Sequence, residues 1–227
     1  MTKSSRATYK PLPINAIKIN GWLEQQSSLA MKGFIGSLPL ISKEVWSDVF
    51  ATGQLGLKSA YGTGNNVAKV EWWNGESEGN WLIGWIGHVL LHGKTTEIEQ
   101  VRTYLNRILS SQSADGYIGM FTDEAQASRN FIVGDLWTQS RAILALQLWA
   151  DYWNDDQVRS SVSRALDYTI TRYRKSDKNL RFQTPTGDSC GAGHDLMFMD
   201  ALAEQTRQTG EMRFIEFGRE LYADYSV

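Results

Sequence analysis

The sequence predicts an all-α chain: about three helical hairpins forming part of an α/α toroid, with a short extended N-terminal arm. Three observations carry that expectation. Helical apolar patterns come in pairs, each an almost uniformly apolar segment followed by one with a single apolar stripe. The joints within pairs are short, polar and recur about every 55–60 residues, the mark of stacked αα-hairpins. The connections between pairs are long, about 22 residues from Ser113 to Gly134 and about 19 from Lys175 to Gly193.

In chain order, residues 1–60 read as the arm and an irregular lead-in, and 61–227 as the hairpin domain. Pro11, Pro13 and the partial alternation of Ile14–Ile19 suggest extended chain, followed by a Gly21-Trp22-Leu23 step and turns. The helical pattern starts at Trp81. Trp81–His92 is apolar almost all round, and Ile98, Val101, Leu105, Ile108 and Leu109 mark one stripe after the Gly93-Lys94-Thr95-Thr96 joint. Leu136–Trp153 is again broadly apolar. After Asn154-Asp155-Asp156 come Val158, Val162, Ala165, Leu166, Thr169, Ile170 and Tyr173 on one face. Leu196–Ala203 opens the third pair, which turns at Thr209-Gly210-Glu211 into a stripe of Phe214, Ile215, Gly218, Leu221 and Tyr222.

Composition narrows the function classes. With 227 residues and 42% hydrophobic content the chain can bury a substantial core. A net charge of −2, from 23 basic and 25 acidic residues, gives no electrostatic footprint for nucleic acid or an anionic membrane, and neither is expected as a partner. The lone Cys190 excludes an intramolecular disulfide and fits a reducing compartment. The MTKSSRATYK start lacks the apolar stretch of a signal peptide, so the cytoplasm is expected; a trimmed signal would give the same picture for a periplasmic or secreted protein. Nine Trp and nine Tyr stand out, as core or as sugar-stacking surface.

Antiparallel hairpins place short joints at one end and long loops at the other. Segments 70–81, 115–137 and 185–195 should therefore meet at one rim, each with carboxylates, glycines and polar rings. Glycoside cleavage generally uses two carboxyl groups flanking the scissile bond. Glu71, Glu76, Glu78, Asp115, Asp135, Asp188 and Asp195 fall on this rim, with Glu76, Glu78 and Asp135 as the catalytic candidates. Asp135 and Asp195 also stand where helix N-caps stand, and Asp115-Gly116 is a turn signal. Trp72, Trp73 and Trp137 are candidates to stack on sugar faces, while Trp85, Trp149 and Trp153 read as core. Gln139 and Arg141 begin the second broadly apolar helix; Arg141 suits a fork of hydrogen bonds to a ligand or a structural Asp pair equally. His194, after Gly191-Ala192-Gly193, is placed at the mouth of the third, next to Asp195, and both join Gln139 and Arg141 as substrate-binding candidates. His88 and His92 share a helix face, but Val89 stands where a metalloprotease helix has its Glu, so core or capping roles are favoured and no metal ligand is assigned. Cys190 reads as inert.

These residues carry a resemblance. Leu12-Pro13, Gly21-Trp22-Leu23, Gln25 and Gly33 resemble the N-terminal arm of the family-127-type glycoside hydrolases, the β-L-arabinofuranosidase-like group. The Trp-rich segment 71–81, Gln112 with Asp115-Gly-Tyr-Ile-Gly119, Asp135-Leu-Trp137, Leu146 to Tyr152, and Gly193-His194 through Ala201-Leu202 to Thr209-Gly210 continue it over nearly the whole chain. The resemblance implies a six-hairpin (α/α)6 barrel, of which three hairpins are present here, acting on an L-arabinofuranoside or related sugar. It implies that His194 lies near the sugar. It places that family's catalytic glutamate and zinc-linked cysteines in the second half of the barrel, so no cofactor is expected in this chain itself and zinc would come with the C-terminal half. Carbohydrate is then the expected ligand, and the partner is the C-terminal half or a second copy. Two other readings stay open: a non-catalytic carbohydrate-binding or scaffold module that dimerises through its open edge, and a helical interaction repeat that binds no sugar.

Overall fold

The structure is a computed structural model that describes residues 12–41, 49–52, 72–123, 126, 134–178, 181–182 and 193–226, apart from the side chains of Asn15, Pro39, Thr52, Trp72 and Trp73. Among the described residues the regular elements are all helices and include no strand, an all-α arrangement. In order they form α1 (Gly21–Lys32), α2 (Phe34–Ile41), α3 (Val49–Thr52), α4 (Trp72–His92), α5 (Thr95–Ser110), α6 (Asp135–Trp153), α7 (Asp156–Lys175), α8 (Phe198–Thr209) and α9 (Arg213–Tyr225). Short 3-10 turns at Ile14–Ala16 and Gly193–Met197 precede α1 and α8.

The hairpins α4–α5, α6–α7 and α8–α9 follow the joints expected from the sequence. Each first helix gives way to a residue in the left-handed region: Gly93 (φ 68°), Asn154 (φ 54°) and Gly210 (φ 76°). Gly and Asn adopt that conformation at least cost, which stops the helix and turns the chain back. Asp155 then caps α7, its carboxylate accepting from the backbone N–H groups of Gln157 and Val158, both at 3.1 Å.

Side-chain pairings fix the helix directions. Gly75 faces Thr138 and Gly79 faces Arg141, so α4 and α6 run the same way. Arg141 meets Asp200 and Gln147 meets Gln205, so α8 runs with them. Arg213 pairs with Asp167, and Arg174 with Glu220, which makes α7 and α9 parallel to each other. Within the second hairpin Gln139 meets Thr169 and Asp135 meets Arg172, the antiparallel arrangement. The result is one layer of parallel helices, α4–α6–α8, backed by α5, α7 and α9. All seven stripe positions of α7, from Val158 to Tyr173, are buried. Between the second and third hairpins the core is aromatic. Tyr173, Phe217 and Phe198 form an edge-to-face chain with centroid spacings of 5.3 and 6.4 Å. Each such ring contributes roughly 1.5–3 kcal/mol by leaving water.

Three sequence expectations are corrected. Among the described residues of the N-terminal lead-in, Pro13, Ile17 and Asn20 have extended backbone around the 3-10 turn at Ile14–Ala16, but α1, α2 and α3 are helices where irregular turns are expected. The 21–32 stretch is rich in Leu, Glu, Gln, Ala, Met and Lys, whose helix propensity accounts for α1. Next, α4 begins at Trp72, nine residues before Trp81, so the Trp-rich segment is helix and not rim loop. Gly75 and Gly79, which suggest a loop, are interfacial: a Cβ at Gly75 would lie 2.5 Å from Met120 Sδ, and one at Gly79 2.3 Å from Arg141 Cβ. Finally, α8 is amphipathic rather than apolar all round, burying Phe198, Ala201, Leu202 and Gln205 while Met197 just before it is exposed. It flanks α6 on one side only, whereas α6 lies between α4 and α8 and is buried on most faces. No described helix is long and apolar enough to cross a membrane.

Candidate functional site

The parallel layer brings the first turns of α4, α6 and the 3-10 turn before α8 to one end. Positive helix termini converge there, so the end favours carboxylates and other acceptors. Glu76, Arg141, Trp137, His194 and Asp200 gather at this point.

Glu76 and Glu78 are two positions apart on α4 and so point to different sides of the helix. Glu76 is half-buried and faces the charges of His194 and Arg141. Burial pushes its carboxyl above the ordinary glutamate range, and those two neighbours partly offset the shift. Glu78 is fully buried on the opposite side. It accepts the phenolic proton of Tyr104 on α5 and the backbone N–H of Val49, 3.2 Å away, at the start of α3. Such a carboxylate holds α3 and α5 to α4 and cannot reach a ligand, so Glu78 leaves the catalytic set.

Asp135 leaves it for the same reason. It is fully buried at the α6–α7 interface, accepting from Tyr117 Oη at 2.8 Å, Gln139 Nε2 at 3.1 Å and Arg172 Nη1 at 2.9 Å. Burial pushes its carboxyl up, against the pull of Arg172, Tyr117 and Gln139. Gln139 completes this network by accepting from Thr169 Oγ1 at 2.6 Å. It is buried and therefore a packing residue rather than a substrate-binding one.

Arg141 lies along the floor. Its Nη2 donates to Asp200 Oδ2 at 3.0 Å and its Nε to Ser140 Oγ at 3.1 Å, and the stem rests in the space left by Gly79. Trp137 is buried, with its ring against the exposed imidazole of His194 at 3.9 Å between centroids and a 43° tilt. One indole face is thus occupied, and Trp137 supports His194 instead of offering an open stacking platform. Asp195 is buried and acts as a cap, but for the neighbouring helix. It accepts the N–H of Trp137 at 3.1 Å, and those of Gly134 and Leu136, at the start of α6. Burial still pushes its carboxyl well above the ordinary range, with the backbone donors opposing. That cap locks His194 beside Trp137.

Asp200 was not singled out from the sequence. The signal available was Arg141 itself, since a nearly buried guanidinium on α6 needs a carboxylate on the next parallel helix. The side chains of Trp72 and Trp73, and all of Glu71, Asp188 and Cys190, lie outside the described residues. Asp115 is exposed and takes part in a turn with Ser113, where Gly116 (φ 111°) lies too close to Arg164 to carry a side chain. Among the described residues no three His, Cys, Asp or Glu side chains stand together as a metal ligand set. A separate cleft of about 620 Å³ runs along α7 between Asp115, Gln126, Arg164, Tyr168 and Lys175, so Asp115 lines this cleft rather than the point where Glu76, Arg141 and His194 gather.

The rim therefore combines a raised carboxyl that can hold or release a proton, a guanidinium anchored to a second carboxylate, and an exposed imidazole on an aromatic support. Such a set can hydrogen-bond polyhydroxyl ligands and transfer a proton. Compared with known proteins, the chain matches no family model, no curated protein and no solved structure.

Proposed function

We propose that this chain is the sugar-binding half of an α/α toroid of the glycoside-hydrolase type, binding an L-arabinofuranoside or related pentoside at the N-terminal ends of α4, α6 and α8. The observation that carries the reading is Glu76: a half-buried carboxyl raised by burial, facing Arg141 and His194 at the rim. In this reading Glu76 is the proton donor to the departing oxygen, and Arg141 and His194 hold ring hydroxyls. Asp200 anchors the Arg141 guanidinium at the rim, and the second carboxylate that glycoside cleavage uses comes in this reading from the other half of the barrel. The parallel layer backed by a second layer supports the toroid, since that is how hairpins stack around such a barrel, and the resemblance along the chain supports the sugar. The reading is tested by titrating the chain with L-arabinose and arabino-oligosaccharides and by assaying aryl β-L-arabinofuranosides. Saturable binding that Arg141→Ala abolishes is expected, and absence of any pentoside binding by the folded chain overturns it.

A second reading, a non-catalytic carbohydrate-binding module that pairs with another copy or with the rest of a barrel, is favoured by a different observation. Trp22, Leu29, Phe34, Leu40 and Ile41 on α1 and α2 are exposed, as are Tyr222 and Tyr225 at the other end of the row. Binding without turnover supports it over the first.

A further inference from the structure

Ser27 on α1 stands between two imidazoles of α4. Its Oγ lies 2.6 Å from His88 Nδ1 and 2.8 Å from His92 Nε2. The serine is buried and both rings are half-buried, so this trio ties the N-terminal helices to the first hairpin. Four-residue spacing puts both rings on one face of α4, one turn apart.

The proton count at this point is restrictive. A serine hydroxyl offers one donor and two acceptor sites, and a neutral imidazole has one nitrogen of each kind. With both rings neutral, one N–H donates to Oγ while the hydroxyl donates to the other ring, and the chain of hydrogen bonds is complete. One added proton leaves it complete, because the ring that already donates goes on donating. A second added proton makes both rings donors. The hydroxyl then has no acceptor, and two like charges sit one turn apart.

We propose that Ser27, His88 and His92 form a proton-operated latch that holds α1 and α2 on α4 at neutral pH and releases them when the second imidazole is protonated. Burial first, and then charge on His92, hold His88 below the ordinary imidazole range. The sign follows from linkage. The undocked state binds protons from the ordinary imidazole value, about 6.5, downward, and the docked state binds the second only at lower pH. Docking is therefore full above that value and weakens as pH falls through it towards the lowered His88 value. Among the described residues, the charges on the elements packed around the pair are these: Glu24 and Lys32 on α1 and Lys18 just before it, all exposed; none on α2 or the Ile14–Ala16 turn; the Lys94–Glu97 pair at 3.4 Å at the start of α5; and Glu76 and Glu78 at the far end of α4.

Release has a structural consequence. The carbonyl of Ile35 on α2 accepts from Trp81 Nε1 at 2.7 Å, and Gly36 forms one wall of a groove of about 510 Å³ with Trp81, Trp85 and Tyr104. Letting α1 and α2 go uncovers these stacked indoles, whose centroids are 5.0 Å apart.

Hydrogen exchange read peptide by peptide at about pH 7.5 and about pH 5.5, one unit either side of the ordinary imidazole value and corrected for intrinsic rates, tests the latch. The expected result is a loss of protection of roughly tenfold in α1 and α2 at the lower pH, with α6 and α7 unchanged as an internal control. His88→Gln, which hydrogen-bonds without titrating, should remove the pH step. Equal protection of α1 at both pH values in the unsubstituted protein, or a step that survives in His88→Gln, overturns the proposal. Proton NMR titration of the imidazoles needs no variant. Two coupled steps, the second below the ordinary range, are expected, and two independent titrations at the ordinary value overturn the latch as well.

Discussion

Glu76 and Glu78 differ by two positions and by everything that matters chemically. One faces the rim with its carboxyl raised by burial, and the other is sealed between Tyr104 and Val49. Raising the carboxyl in the folded state means that the protonated form is the one the fold favours. Stability should then fall as pH rises from the ordinary glutamate value through the raised one, and Glu76→Gln should remove that dependence. The same variant should abolish turnover of any aryl pentoside the chain cleaves, while sugar binding by calorimetry changes only modestly. For Glu78 the expectation is reversed. Glu78→Ala strands a phenol and a backbone N–H in the interior and should cost roughly 2–4 kcal/mol in urea unfolding, whereas Glu78→Gln should cost less than half as much. A Glu78→Ala protein of unchanged stability would mean that the Tyr104 and Val49 contacts contribute nothing.

The helices show where sequence reading worked and where it stopped. Stripe periodicity places α5 and α7 correctly, and α9 in part, because those helices bury one face, and one face is what periodicity records; on α9 the expected Tyr222 is exposed and the buried Phe217 lies outside the expected stripe. Left-handed stops at Gly93, Asn154 and Gly210 are equally legible, since residue type alone favours that backbone. The start of α4 is not legible. Gly75 and Gly79 lower helix propensity locally, and only the approach of Met120, Thr138 and Arg141 explains them. That difference is testable within one helix. Gly79→Ala forces its methyl onto Arg141 and should cost about 1–3 kcal/mol, as overpacking does. Gly87→Ala, where no atom lies within 4 Å of the added carbon, should instead stabilise by about 1 kcal/mol through helix propensity. Chemical unfolding of the two variants side by side reads the opposite signs. The site divides in the same way. Arg141 and His194 were legible as rim residues from their position at the start of apolar helices. Asp135, Gln139 and Asp195 were legible as polar residues near helix starts, but whether each faced the rim, the α6–α7 seam or the next helix's N-terminus depends on packing between segments far apart in sequence.

At the scale of the molecule, a row of parallel helices has two ends, and both carry apolar side chains. Trp22 and Leu29 are seven residues apart on α1, as are Phe34 and Ile41 on α2, so each pair shares a helix face, and Trp22 and Leu40 are 70% and 83% exposed. At the other end Met212, Tyr222 and Tyr225 are exposed on and beside α9. Scattered apolar residues are ordinary on a protein surface, but large ones concentrated on two adjacent helices are the pattern of a surface that is covered in the working assembly. If the cover is a second copy, sedimentation velocity over a dilution series should show concentration-dependent association of the folded chain. Trp22→Gln with Leu40→Glu should shift it to monomer without lowering the unfolding midpoint, because neither side chain contributes to the core. The latch predicts a further dependence. Acidification that frees α1 and α2 from α4 changes the geometry of that end, so association through it should weaken over the same pH range in which α1 loses exchange protection. Association that persists unchanged at the lower pH, or in the doubly substituted chain, would assign the contact to the α9 end instead.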